Sequence, residues 1–110
     1  MPYYLFTARY TAASLRAMVD NPQDREAPAR ALAEGAGAKL HHIFFMFGQD
    51  DVMALLEAPD DTTMAATALA IGASGGFSGG ATTKLMTAQE AMKAMEAAGK
   101  ARAAYTPPTG

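Results

Sequence analysis

The residues of this chain that could do chemistry sit in a few short stretches. His41 and His42 stand together at the head of an apolar run, Asp50 and Asp51 stand together at its end, and Arg9, Glu57 and Lys84 are single charges within otherwise apolar segments. Imidazole titrates near neutral pH and suits general-base work. Two adjacent acids could hold a metal or form an acid–base pair, and a charge turned into an apolar cavity needs a partner, which makes it a site candidate. Tyr4, Arg9, His42 and Asp50 are the set that would carry catalysis if the fold brought them together.

Each of these residues also has a plainer reading. Neighbours on a strand point to opposite faces, so His41 and His42 are expected on opposite sides of a sheet, unable to hold one ion between them; which of the two faces the interior is open. With no cysteine and no helical His-x-x-x-His, no metal site and no cofactor are expected. Adjacent acids beside Gly48 commonly accept backbone hydrogen bonds in a turn. Gly72-Ala-Ser74-Gly-Gly76 and Gly76-Phe-Ser78-Gly-Gly80 both fit G-x-S-x-G, but two overlapping matches reflect abundant glycine. A nucleophile elbow also needs a later histidine, and both histidines come earlier. The same glycines fail the dinucleotide and P-loop patterns.

Composition narrows the classes. A chain of 110 residues, half of them apolar, suits one domain with one core, expected over residues 1–105 with a frayed tail at 106–110. Nine Lys and Arg against eleven Asp and Glu give a net charge of -2, without a basic cluster, which argues against nucleic acid. The absence of cysteine suits a reducing compartment, with the cytoplasm as the default expectation. Met1-Pro-Tyr-Tyr4 does not read as a signal peptide. The uncharged stretch from Thr62 to Thr83 is too rich in Ala, Gly, Ser and Thr to favour a membrane.

The elements that must position these residues follow from periodicity. Tyr3 to Tyr10 reads as a strand, and Thr11 caps a helix ending near Asp20. Asn21-Pro22 predicts a restart running toward Glu34, with Pro28 forcing a kink or a late start and Gly35 and Gly37 a stop. Lys39 to Gly48 and Asp51 to Ala58 read as two strands joined by a tight Gly-Gln-Asp connection. A helix follows from about Thr62 to Gly72, then a glycine loop from 72 to 80, and a strand convincing only from Ala81 to Met86. Thr87-Ala-Gln-Glu90 opens a last helix with a capping-box pattern. The order β-α-β-β-α-β plus a C-terminal helix is the ferredoxin-like α+β arrangement, with a four-stranded antiparallel sheet covered on one face by helices. Its strands are apolar on both faces, with Leu40, Phe44 and Met46 opposing Ile43, Phe45 and Phe47, so something must cover the second face. A second copy of the same sheet is the simplest cover, giving a homodimer or higher homo-oligomer.

The pieces Asn21-Pro-Gln-Asp-Arg25, Gly37-Ala-Lys-Leu40, Gly48-Gln-Asp50, Glu57-Ala-Pro-Asp-Asp61 and Thr83-Lys-Leu-Met-Thr-Ala-Gln-Glu-Ala91 resemble the GYD-domain family of small bacterial proteins. The resemblance spans roughly residues 3 to 98. It implies a dimeric α/β-barrel, ferredoxin-like fold and names no reaction. Gln49 stands where the family has its tyrosine, and an amide does not titrate; Asp50 keeps the family's acidic position. Two functions from different classes follow. One is an oligomeric binding or interaction module that spends its sheet face on assembly and takes any small-molecule ligand at loops and strand ends. The other is a small cofactor-independent enzyme, an isomerase or monooxygenase-like protein, with a cavity between sheet and helices. A cavity of about 300 Å³ or more lined by Tyr4, Arg9, His42 and Asp50 would favour the enzyme. A tautomerase-like amine at Pro2 is a third idea, dependent on removal of Met1.

Overall fold

The computed structural model describes residues 1–109; Gly110, the end of the expected tail, lies outside the described residues. The elements in chain order are β1 (Tyr3–Tyr10), α1 (Ala12–Asp20), α2 (Glu26–Ala36), β2 (Lys39–Phe45), β3 (Val52–Glu57), α3 (Asp61–Ala73), β4 (Phe77–Leu85) and α4 (Ala88–Arg102). The strands form one sheet in the order β2-β3-β1-β4, every neighbouring pair antiparallel. This is the expected ferredoxin-like α+β arrangement, its first crossover made of two helices, with a fourth helix at the C-terminus.

Side-chain caps set the helix starts. The Thr11 hydroxyl accepts from the Ser14 N–H, the Asp60 carboxylate from the Thr63 N–H, and Thr87 and Glu90 form a reciprocal capping box. The restart expected at Asn21-Pro22 does not occur: residues 21–25 cross between helices and α2 begins at Glu26. Pro28 is thus the third residue of α2, where its missing N–H falls among the four that have no intrahelical partner. Gly37 ends α2 at φ 93°, with Ala38 donating to the Ala33 carbonyl at 2.8 Å.

Two departures reshape the sheet. The register of β2 against β3 slips between Leu40 and His42, a β-bulge with His41 as the extra residue. The slip reverses the alternation beyond it. Ile43, opposite buried Ala54, joins Leu40, opposite buried Leu56, on the helix-covered face, and Phe44 turns to the other. The pairing of Leu40 with Phe44 expected from strict alternation is corrected accordingly. Secondly, β4 begins at Phe77, so Gly79 and Gly80 are strand residues opposite Arg9 and Ala8, not part of a loop. The β2–β3 connection is longer than the expected tight hairpin. It runs from Met46 to Asp51 and is closed by the Met46 N–H donating to the Asp51 carbonyl at 2.8 Å.

The core lies between the sheet and two helices, α2 against β2 and α3 against β4. Its buried members are small: Ala33, Ala38, Ala54 and Ala58 stand among Tyr4, Leu40, Leu56 and Met64. Buried Thr67 satisfies its hydroxyl on the Thr63 carbonyl. Helix α4 has no buried residue and leaves Met92 and Met95 exposed. The radius of gyration, 17.9 Å, exceeds the roughly 13 Å of a compact domain of this length. The described residues contain no helix long and apolar enough to cross a membrane.

Candidate functional site

The sheet divides the candidate residues between two surfaces. Burial alternates cleanly along β3, with Val52, Ala54 and Leu56 buried under the helices and Met53, Leu55 and Glu57 turned the other way. Pairing places Tyr3, Leu5, Thr7 and Arg9 of β1 and His42 and Phe44 of β2 on that same outer face. Its middle is apolar: Leu5, Leu55, Met53 and Phe44, the last 58% exposed. Its charges stand at the two ends of the strands, and they are paired. At one end Arg9 Nη1 donates to Asp50 Oδ1 at 2.8 Å. At the other, His41 Nε2 and Glu57 Oε1 are 2.7 Å apart, with Tyr3 beside the imidazole at 5.5 Å between ring centres.

His41 and His42 therefore share the outer face. The expectation of opposite faces fails because a bulge sets two successive residues on one side. They still do not form a common site: His41 is held by Glu57, and His42 stacks on Phe44 at 6.0 Å. Asp51 anchors backbone, its carboxylate accepting from the Tyr10 N–H at 3.0 Å while its own N–H donates to the Ala8 carbonyl. These tethers hold the acids at the end of β1 and explain the long β2–β3 connection.

Tyr4 lies on the opposite, helix-covered face, so the convergence of Tyr4 with Arg9, His42 and Asp50 is not formed; only Arg9 and Asp50 meet. The Tyr4 ring is 3% exposed, and its hydroxyl donates to Asp61 Oδ1 at 2.5 Å, which Lys84 Nζ also reaches at 3.0 Å. The hydrogen bond to Asp61, followed by burial, pushes the phenol up to about 12, and the same bond together with Lys84 lowers the Asp61 carboxyl. Such a phenol stays protonated at neutral pH and serves as a fixed donor. With this pair, all three strand charges singled out in the sequence, Arg9, Glu57 and Lys84, have partners. The described residues contain no cluster of three or more potential metal ligands.

The helix-covered face also contains a cavity of about 250 Å³ between α2, α3 and the sheet. Phe6, Leu32, Ile43, Val52 and Ile71 are among its walls, and Tyr10, Arg25, Thr67 and Ser74 carry its polar atoms. None of Tyr4, Arg9, His42 and Asp50 lines it. Tyr10 belongs to an aromatic group, stacked on Phe77 at 4.5 Å and on Phe45 at 5.8 Å. Burial raises the Tyr10 phenol, and a hydrogen bond from Arg25 opposes the rise. Arg25 was not singled out by sequence reasoning. The available signal was its place in the Asn21-to-Arg25 piece that resembles the GYD family.

A four-stranded antiparallel sheet of this order, covered by helices on one face and apolar on the other, defines a ferredoxin-like α+β protein. The family model described as GYD domain matches residues 4–95, and the chain belongs to the GYD-domain family. A search of the curated proteins finds no match. Among solved structures the chain is similar to the crystal structure of MtbAldR, with 14% identity and a TM-score of 0.54 over 78% of this chain. The chain corresponds to 52% of the length of that protein. At this identity the likeness concerns the fold alone.

Proposed function

We propose that the protein is a binding and interaction module that assembles with itself through the outer face of its sheet. The observation that carries this reading is the face itself: an apolar middle around Leu5, Met53, Leu55 and Phe44, with both packed helices on the other side. Apolar centres with polar rims characterise protein interfaces. The Arg9–Asp50 ion pair and the His41–Glu57 hydrogen bond stand where such a rim would be, and a second copy presents a matching surface by symmetry. A cytoplasmic setting is part of the reading, supported by a sequence without cysteine. The enzyme alternative draws less support, because the four residues that would serve it are divided between two faces.

Light scattering of the purified chain at micromolar concentration is the test. The expected mass is at least twice the 11.5 kDa of one chain. Leu55→Glu, which places a charge in the middle of the face, is expected to give a monomer with an unchanged far-ultraviolet spectrum. A monomeric wild type at that concentration would overturn the reading, as would an L55E protein that keeps the wild-type mass.

A further inference from the structure

We propose that the cavity under α2 and α3 binds a small apolar monocarboxylate, an aryl or branched-chain acid, with Arg25 holding its carboxylate. The inference goes beyond self-assembly and concerns the opposite face of the sheet.

Size comes first. An apolar cavity of roughly 150 Å³ accepts benzene; about 250 Å³ has room for a ring or branched chain together with a carboxylate. The space exists because Ala29, Ala54 and Ala70 face it from α2, β3 and α3, where longer side chains would fill it. Its apolar walls favour a hydrocarbon body.

The polar atoms decide the head group. The Thr67 hydroxyl is engaged by the Thr63 carbonyl, and the Ser74 hydroxyl donates to the Ile71 carbonyl at 2.6 Å. That leaves Arg25 and Tyr10. Arg25 Nη1 donates to Gln23 Oε1 at 2.8 Å, and the guanidinium also meets the Tyr10 phenol. Among the described residues Arg25 has no carboxylate within ion-pair distance, whereas Arg9 meets Asp50 and Arg30 meets Glu26. A guanidinium has five N–H donors, so enough remain for a forked contact with a carboxylate. Half-buried beside an apolar cavity, this cation is matched by one negative charge.

The same inventory sets specificity. Neither Asp nor Glu lines the cavity, so an amino acid would bring an ammonium group with no carboxylate to receive it. A dicarboxylate would strand its second charge among Leu32, Ile43 and Val52. The fitting ligand has one acidic end and a hydrocarbon remainder.

The test uses the full chain, titrated with phenylacetate and 4-methylvalerate and with the neutral phenylacetamide and 4-methylvaleramide. Methyl NMR of Leu32, Ile43 and Ile71 locates binding, and calorimetry measures it. The acids are expected to shift these methyls saturably and to bind at least tenfold more tightly than the amides. Arg25→Gln should erase that preference while the amides bind as before, and Ala29→Leu, which fills the space, should abolish binding of both. Leu55→Glu should bind like wild type, so failure of self-assembly and failure of this site are separable. Acids no better than amides in the wild type, or no saturable shift at the three methyls, would overturn the proposal.

Discussion

A single methyl group added at Gly80 should destabilise this fold by about 3 kcal/mol, at the upper end of the usual cost of overpacking. Gly80 pairs with Ala8 across β1 and β4. A Cβ built there overlaps the Thr7 carbonyl oxygen and comes within 2.9 Å of Ala8 Cα. These are backbone atoms of β1, which is paired with β3 on its other side, so they cannot yield without loosening a second ladder. Gly79 makes the informative comparison. Its added Cβ meets Arg9 Nη2 at 2.5 Å, the far end of a flexible side chain that is 40% exposed. Arg9 would swing away from Asp50, and losing an exposed pair costs about 1 kcal/mol or less. Gly35 in α2 and Gly72 in α3 have nothing within 4 Å of an added Cβ, and alanine at either should stabilise its helix by roughly 0.5–1 kcal/mol. Urea unfolding followed by circular dichroism gives all four values, measured in the Leu55→Glu background, where no second copy covers Arg9, and at one fixed protein concentration. Gly80→Ala within 0.5 kcal/mol of that background, or Gly79→Ala as costly as Gly80→Ala, would refute the strand assignment of this glycine segment.

The pH dependence of stability should show two limbs with separate causes. Tyr4 is raised in the folded chain, so its contribution is complete below its ordinary pKa of 10 and lost as pH rises toward about 12. Tyr4→Phe should flatten that alkaline limb in urea midpoints taken between pH 9 and 12. Asp60, Asp61 and Glu90 are lowered by the Thr63 N–H, the Tyr4 hydroxyl and the Thr87 N–H respectively, so their contributions are complete above the ordinary carboxylate pKa and are lost below it, as pH falls through the lowered folded-state values. Asp60→Asn, which can still cap α3, should make the acid limb shallower. Thr87→Ala removes half of the capping box on a helix with no buried residue. It should weaken α4 locally by about 1 kcal/mol, seen as faster amide exchange in residues 88–102 with little change in the global urea midpoint.

The parts legible in the sequence are those governed by local chemistry. The limits of β1, the Thr11 cap and the Thr87–Glu90 capping box follow from residues a few positions apart. The bulge at His41 is invisible at that range, because a register slip is a property of two strands together and β2 alone shows only an apolar run. The glycines of β4 mislead for a related reason. Gly has a poor intrinsic preference for strands, and only the partner strand reveals that Gly80 lies where a Cβ would strike the backbone. Asn21-Pro22 has a helix-start pattern, yet residues 21–25 form the crossing that brings Arg25 to the cavity. Of the four residues marked for catalysis, Arg9 and Asp50 do meet, since both lie at the end of β1. Tyr4 departs because parity along β1 sends it to the face opposite Arg9, a consequence available from alternation alone.

The placement of charge bears directly on whether the outer face suits burial. Covering a sheet face that held an unpaired Arg, Glu or His would impose a desolvation penalty of several kcal/mol per ion, which an apolar middle could not readily offset. Here Arg9 already has the Asp50 carboxylate as its counter-charge, and the Glu57 carboxylate already has a hydrogen-bond partner in the His41 ring, each pair within one chain. Their side chains are 40% and 19% exposed at one end and 25% and 19% at the other, so part of the desolvation has occurred before any partner arrives. A partner then needs to supply apolar surface to the middle and need not supply a counter-charge at the Arg9–Asp50 end. That requirement favours a like surface over a charged one, and it makes Asp50→Ala a sharper probe than removal of an apolar side chain. With Asp50 gone, Arg9 keeps its charge and loses its partner, so covering the face becomes more costly while its apolar area is nearly unchanged. The expected result is an assembly weakened at least tenfold by dilution light scattering, restored in part by Arg9→Met in the same chain. An Asp50→Ala protein that assembles as tightly as wild type would show that this end of the sheet stays in solvent and that the covered area is confined to the His41–Glu57 end.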